Sequence, residues 1–144
     1  MDNRPWNRQD AHKITADASS IHPLTGFAAT VIHPDGMILQ IEKTHNSTYI
    51  PRVELAGYLF ALQCLPKDGK PAILLHDQDD LPMMLGAGVS YQHNLEPEIS
   101  ELKTELQARE VVLVRASTQP EYRECHHRIR KFLKQHPDTQ ALTT

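Results

Sequence analysis

Three acidic residues stand where a small α/β chain could gather them: Asp17 in His-Lys-Ile-Thr-Ala-Asp-Ala-Ser-Ser, Glu54 in Pro-Arg-Val-Glu-Leu-Ala and Asp77 in Ala-Ile-Leu-Leu-His-Asp. Asp17 and Asp77 each follow a short apolar run that reads as a strand, while Glu54 falls in the first turn of a helical pattern. The three would therefore converge only in a folded domain. Converging carboxylates repel one another unless a divalent cation holds them, so the chemistry this pattern points to is binding of a hard cation through oxygen. Asp77 competes for that role with Asp79 and Asp80, any of which could cap a following helix. His33, His45 and His76 have no partner at ligand spacing and read as structural.

The elements that must position these acids are legible from periodicity. Residues 26–32, Gly-Phe-Ala-Ala-Thr-Val-Ile, are apolar on both alternating faces and predict a central strand covered on two sides. His-Pro-Asp-Gly at 33–36 is turn chemistry, with Pro34 presetting φ and Gly36 free to take a positive one. Met37, Leu39 and Ile41 then alternate with Ile38, Gln40 and Glu42, as an antiparallel strand nearer the sheet edge would. Pro51 favours the first turn of a helix that carries Val53, Ala56, Leu59, Phe60 and Leu62 and stops at Pro66. Residues 72–75 form a compact apolar run ending at His76 and Asp77, a buried strand with polar groups at the end where open α/β sheets place ligands. A short helix over 81–88, an acidic helix over 96–109, a last strand over 111–114 and a closing helix over 120–135 follow, the last with Tyr122, Cys125, Ile129, Phe132 and Leu133 on its apolar face. Three strands, a helix, a strand, helices, a strand and a helix make a mixed sheet in which the fourth strand lies parallel to the first and beside it. That arrangement sets Asp17 next to Asp77.

The 144 residues are the size of one domain, with loose tails expected at 1–11 and 137–144. With 40% hydrophobic and 23% charged residues the composition is that of a globular chain. No stretch approaches the roughly 18 uninterrupted apolar residues of a spanning helix, and the start has no apolar leader segment, so a soluble, cytoplasmic protein with no membrane partner is expected. Cys64 and Cys125 have no paired spacing and are read as buried thiols rather than a disulfide or zinc site. A formal net charge of −3 argues against a polyanionic partner, but its distribution argues for one. Arg115, Arg123, Arg128, Arg130, Lys131 and Lys134 face only Glu121 and Glu124 in the last segment, a basic helix able to meet phosphates.

This order of elements and acids resembles the ribonuclease H fold and, more narrowly, the type 1 ribonuclease H family, from about residue 14 to residue 133. The family's first-strand Asp followed by a small residue and Ser is matched by Asp17-Ala18-Ser19, and its loop into the second strand by residues 22–27, His-Pro-Leu-Thr-Gly-Phe. Arg52-Val53-Glu54-Leu55 matches the opening of its first helix, and residues 73–77 match its apolar strand ending in Asp. The fourth family position, an Asp at the start of the closing helix, falls here on His126 within Pro120-Glu121-Tyr122-Arg123-Glu124-Cys125-His126-His127. Helix geometry favours His126 over His127, which shares a face with Arg130, Lys131 and Lys134.

The resemblance implies an α/β domain with a mixed five-stranded sheet flanked by helices. It also implies an endonuclease that hydrolyses the RNA strand of an RNA-DNA hybrid with two Mg2+ or Mn2+ ions about 4 Å apart. Asp17 would bridge both ions, Glu54 and Asp77 would each bind one, and His126 would complete the second site. An imidazole there suits Mn better than Mg. Ser19, Arg52, Arg115, Arg123, His127 and Arg130 are the candidates for contact with nucleic acid. Two family features are absent. Ile50-Pro51 replaces the Asn that precedes the helical Arg, and residues 116–119, Ala-Ser-Thr-Gln, lack the mobile-loop histidine. The alternative is a catalytically weakened module of the same fold that binds nucleic acid or a protein partner. The sequence leaves the oligomeric state open.

Overall fold

A strand apolar on both faces demands cover on two sides, and the architecture supplies it. The structure, a computed structural model, describes residues 9–77, 81, 85, 95–115 and 119–141, with side-chain detail as far as 139. Five strands, β1 (His12–Ile21), β2 (Leu24–Ile32), β3 (Ile38–His45), β4 (Ala72–His76) and β5 (Val111–Arg115), form one sheet in the order β3-β2-β1-β4-β5. The first three pair antiparallel, and β4 pairs parallel with both β1 and β5. The helices are α1 (Ile50–Gln63), α2 (Glu96–Gln107), α3 (Pro120–Gln135) and a short α4 (Pro137–Ala141).

Alternation divides the strand side chains between two cores. Ile14, Ala16 and Ala18 of β1, Phe27, Ala29 and Val31 of β2 and Leu74 of β4 pack with Val53, Tyr58, Ala61 and Leu62 of α1 and with Ile99 and Leu102 of α2. On the opposite face Ala28 lies against Cys125, Ile129 and Leu133 of α3, and Ile73 and Leu75 pack with Val112, Val114 and Tyr122. Each fully buried aliphatic side chain contributes on the order of 1.5–3 kcal/mol, so these two layers hold both sets of helices to the sheet.

Close approach is enforced at Gly57 and Gly26. A Cβ built on Gly57 would stand 2.9 Å from the Ala16 Cβ and 3.3 Å from the Phe27 ring, so glycine lets α1 settle directly on β1 beside Asp17. At Gly26 a Cβ would stand 2.3 Å from the Lys43 carbonyl oxygen, a backbone atom of the paired strand.

Several expectations are adjusted. β1 runs four residues past Asp17, because Ala18 to Ile21 pair with Phe27 to Leu24 in the first hairpin, so Asp17 sits within a strand rather than at its end. Residues 137–141, expected to fray, form α4 with Thr139 buried, and Ala11 of the expected loose start is buried against Ile73 and Leu75. Cys125 is buried as expected, but Cys64 is half-buried. Burial pushes the Cys125 thiol up to about 11. His33, read as structural, has Nδ1 2.9 Å from Nδ1 of His12, whose Nε2 is 2.8 Å from Asp68 Oδ2. The expected helix over 81–88 lies outside the described residues apart from Leu81 and Leu85, which join the α1 core. Among the described residues no helix is long and apolar enough to cross a membrane.

Gly26→Ala is expected to lower stability by about 1–3 kcal/mol, since the new methyl has only rigid backbone to push against; a denaturant midpoint equal to wild type overturns that geometry. The Asp68 carboxyl is held below its ordinary range, first by the Lys70 backbone N–H, with burial opposing and His12 and Arg109 assisting. A depressed folded pKa adds stability above the unfolded value and loses it as pH falls through the folded one. The melting-temperature difference between wild type and Asp68→Asn should therefore be widest near neutrality and close in strong acid, a difference read by thermal unfolding across pH.

Candidate active site

The parallel ladder of β1 with β4 runs from His12↔Ala72 to Thr15↔Leu75 and stops there, while β1 continues. Asp17 thus lies beside the open carboxyl end of β4, where the chain turns out at Asp77. The Thr15 hydroxyl donates to the Leu75 carbonyl at 3.0 Å and reinforces the pairing just below the site. By alternation Asp17 points to the α3 face of the sheet and is only 3% exposed.

α3 delivers the groups that meet it. Tyr122 and His126, four residues apart, share one helix face. The Tyr122 hydroxyl donates to Asp17 Oδ1 at 2.7 Å and also lies 3.2 Å from Asp77 Oδ2. His126 Nδ1 lies 2.7 Å from Asp17 Oδ2, an imidazole N–H facing an acceptor-only carboxylate. Arg115, at the end of β5, sets both Nε and Nη2 3.3 Å from Asp77 Oδ1. From the other face, α1 carries Glu54 and Tyr58, and the Asp77 backbone N–H donates to the Tyr58 hydroxyl at 3.3 Å. Burial is the main cause that pushes the Tyr122 phenol far above its ordinary value, followed by the hydrogen bond to Asp17 and the charges of Asp17, Glu54 and Asp77. Burial and the Glu54 charge do the same to Tyr58. Both phenols remain neutral hydrogen-bonding groups, and Glu54 is within electrostatic reach of each.

The structure therefore brings Asp17, Asp77 and His126 together, with Glu54 on the adjoining helix. Of the nucleic-acid candidates, Ser19 accepts a hydrogen bond from Arg130 Nη1 at 2.9 Å, two strand positions beyond Asp17. His127 and Arg130 line a groove of about 500 Å³ along α3 together with His126, Lys131 and Lys134. Arg123 lines an adjoining one with His127 and Lys131. Arg52 is drawn toward α2, its Nε 2.8 Å from Glu98 Oε1, and Arg115 is drawn to Asp77. Sequence reasoning missed Tyr122 as a site residue, placing it with the apolar stripe; its i, i+4 relation to His126 was the available signal. Asp79, Asp80 and residues 116–118 lie outside the described residues.

The donor set suits a hard divalent cation in kind, with three carboxylates and one imidazole. As the side chains stand, no three His, Cys, Asp or Glu among the described residues close on a common point. Tyr122 and Arg115 hold the carboxylates instead.

Beside the apolar contact of Cys125, Ile129 and Leu133, α3 is tied over the site by Arg128. It bonds Glu42 Oε2 of β3 at 2.9 Å, Thr30 Oγ1 of β2 at 3.0 Å, the Ala29 carbonyl and Glu124 one turn back, and is itself mostly buried.

No family model matches the chain, and no curated protein matches it in sequence. Among solved structures it is similar to RNase H1 from the halophilic archaeon Halobacterium salinarum, with a TM-score of 0.71 at 13% identity over 88% of this chain and 99% of that one. The N-terminal RNase H domain of a Mycobacterium tuberculosis protein gives 0.68 at 13%, over 84% and 97%. An RNase H1 isolated from compost, in complex with an RNA/DNA hybrid, gives 0.66 at 15%, over 85% and 99%. The chain has the ribonuclease H-like fold, with the mixed five-stranded sheet of that fold and a sequence far diverged from these structures.

Arg128→Ala is expected to destabilise by about 1–3 kcal/mol, because it leaves the half-buried Glu42 carboxylate and the Ala29 carbonyl without their donor, while Glu124 keeps Gln40. Arg128→Lys should recover little, since a point ammonium cannot reproduce the fork. Urea unfolding of both variants checks this, and full rescue by Lys contradicts the bidentate role.

Proposed function

We propose that this chain is a nuclease of ribonuclease H type that hydrolyses phosphodiester bonds of nucleic acid, with the RNA strand of an RNA-DNA hybrid as its substrate. The observation that carries the proposal is the meeting of Asp17 of β1 with Asp77 just past the end of the adjacent parallel β4, bridged by Tyr122, with His126 of α3 on the second oxygen of Asp17. Asp17, Glu54 and Asp77 would hold divalent ions, Mg2+ or Mn2+, with His126 as the nitrogen donor of the set. When bound, such ions activate a water and stabilise the leaving oxygen. The chain's own residues supply the rest. Arg130, Lys131 and Lys134 present cations, with His127 beside them, along one groove of α3 that opens beside His126, and would seat the phosphates flanking the scissile bond. Ser19 and Arg130, already bonded to each other, would contact the strand next to Asp17. Similarity to a structure that holds an RNA/DNA hybrid supports this choice of substrate. The proposed setting is the cytoplasm.

Cleavage of an end-labelled RNA-DNA hybrid in Mg2+ or Mn2+ is the direct test. Wild type should release products with 5′ phosphates, and Asp17→Asn should lower the rate about 100-fold or more, the scale of one lost transition-state contact. Equal inertness of both proteins in both metals sinks the catalytic reading.

A second reading is favoured by one observation: the Tyr122 hydroxyl fills the space between Asp17 and Asp77, and the carboxylates are satisfied by protein donors. On that reading the chain is a binding module of the same fold. Hybrid binding that weakens steeply with salt, unaccompanied by cleavage, would favour it.

A further inference from the structure

The four carboxylate oxygens of the Asp17 and Asp77 pair are each already engaged. Asp17 Oδ1 accepts from Tyr122 and Oδ2 faces His126, while Asp77 Oδ1 faces Arg115 and Oδ2 faces Tyr122 again. We propose that Tyr122 is the residue that decides whether a divalent cation enters this pair: its hydroxyl stands where the shared cation would stand, and ion binding requires it to withdraw. This rests on the metal-dependent reading above and deepens it.

The contacts are unequal in a way that makes displacement feasible. A phenol has one proton, so Tyr122 can donate fully to only one of two oxygens at 2.7 and 3.2 Å, and the longer contact to Asp77 is the weaker. The Arg115 contacts are at 3.3 Å and that side chain is 48% exposed, so solvent screens them. A dication competes for the same oxygens with two charges and no such limit on partners.

Withdrawal is nonetheless opposed by packing. The Tyr122 ring lies against the cluster of Ile73, Leu75, Val112 and Val114, so the hydroxyl is not a free rotor. Tyr122 is the third residue of α3, and Gln119 at the helix start makes no side-chain capping bond. The turns beyond are anchored by Cys125, Ile129, Leu133 and Arg128. The first turn of α3 thus lacks a side-chain cap, and it carries the obstructing group. Because His126 sits one turn deeper, it can keep its bond to Asp17 while Tyr122 moves.

The test is a calorimetric titration of the full chain, first stripped with chelator, with MnCl2. Tyr122→Phe keeps the ring and removes the hydroxyl, and should bind Mn2+ about 10-fold more tightly than wild type, the scale of one hydrogen bond to a charged group. The rise in melting temperature on adding Mn2+ should be correspondingly larger in the Phe variant. Tyr122→Leu repeats the comparison where the Phe variant proves unstable, and Asp17→Asn in the Phe background should abolish the gain. Equal Mn2+ affinity in wild type and Phe variant overturns the gating role and leaves the nuclease reading standing. Weaker binding by the Phe variant also overturns it, making the hydroxyl a support for the ion. No binding by either protein overturns both readings together.

Discussion

Two carboxylates held on neighbouring parallel strands are the constraint around which this molecule is organised. Nothing in a strand ladder tolerates a pair of like charges at its buried end without donors to answer them. The β1–β4 ladder ends at Thr15↔Leu75, so Asp17 and Asp77 fall just past its last rung and their side chains share one opening. The sheet therefore fixes the acids, and every other element at this end answers them. Tyr122 and His126 come from α3, Arg115 from β5 and a phenol oxygen on the Asp77 backbone from α1.

The two faces of the sheet divide the work. On the α1 face, Gly57 removes the Cβ that would strike Ala16, and α1 consequently lies near enough for Glu54 to act on the phenols of Tyr58 and Tyr122. On the α3 face the apolar contact is narrower, centred on Ala28, Cys125, Ile129 and Leu133. A helix with so polar a remainder needs a second attachment. Arg128 provides it by reaching β2 and β3 at once, two residues along the helix from His126.

The sheet order and the adjacency of Asp17 and Asp77 were legible because both follow from periodicity and connection rules: a meander followed by crossovers leaves few ways to place a fourth strand. His126 was legible for a similar reason, since helix geometry separates it from His127. Tyr122 was not. A tyrosine at helical spacing beside Cys125 and Ile129 looks like core, and its ring is core; only the hydroxyl belongs to the site, and sequence pattern does not distinguish the two ends of an amphipathic side chain. The partners of Arg115 and Arg52 were not legible for a related reason. Charge patterning reports that a cation is present, whereas its pairing with Asp77 or Glu98 depends on tertiary neighbours that periodicity does not reach. The His12–His33 contact joins the start of β1 to the turn after β2, a pairing that no local spacing reveals.

His126 also bears on how the site balances its charge. A fourth carboxylate at that helix position would add another negative group beside Asp17, and the cluster would depend on cations to hold together. An imidazole N–H at 2.7 Å does the reverse, giving Asp17 a donor of the protein's own. With Tyr122 and Arg115 it lets the acids stand together on protein contacts alone. The exchange has a direct consequence for chemistry: each donor that steadies the carboxylates is also a competitor for the oxygens a cation needs. On the proposed metal-dependent reading, affinity for a cation would be set by how readily those donors yield, and the first to yield would be the one whose single proton is shared between two acceptors.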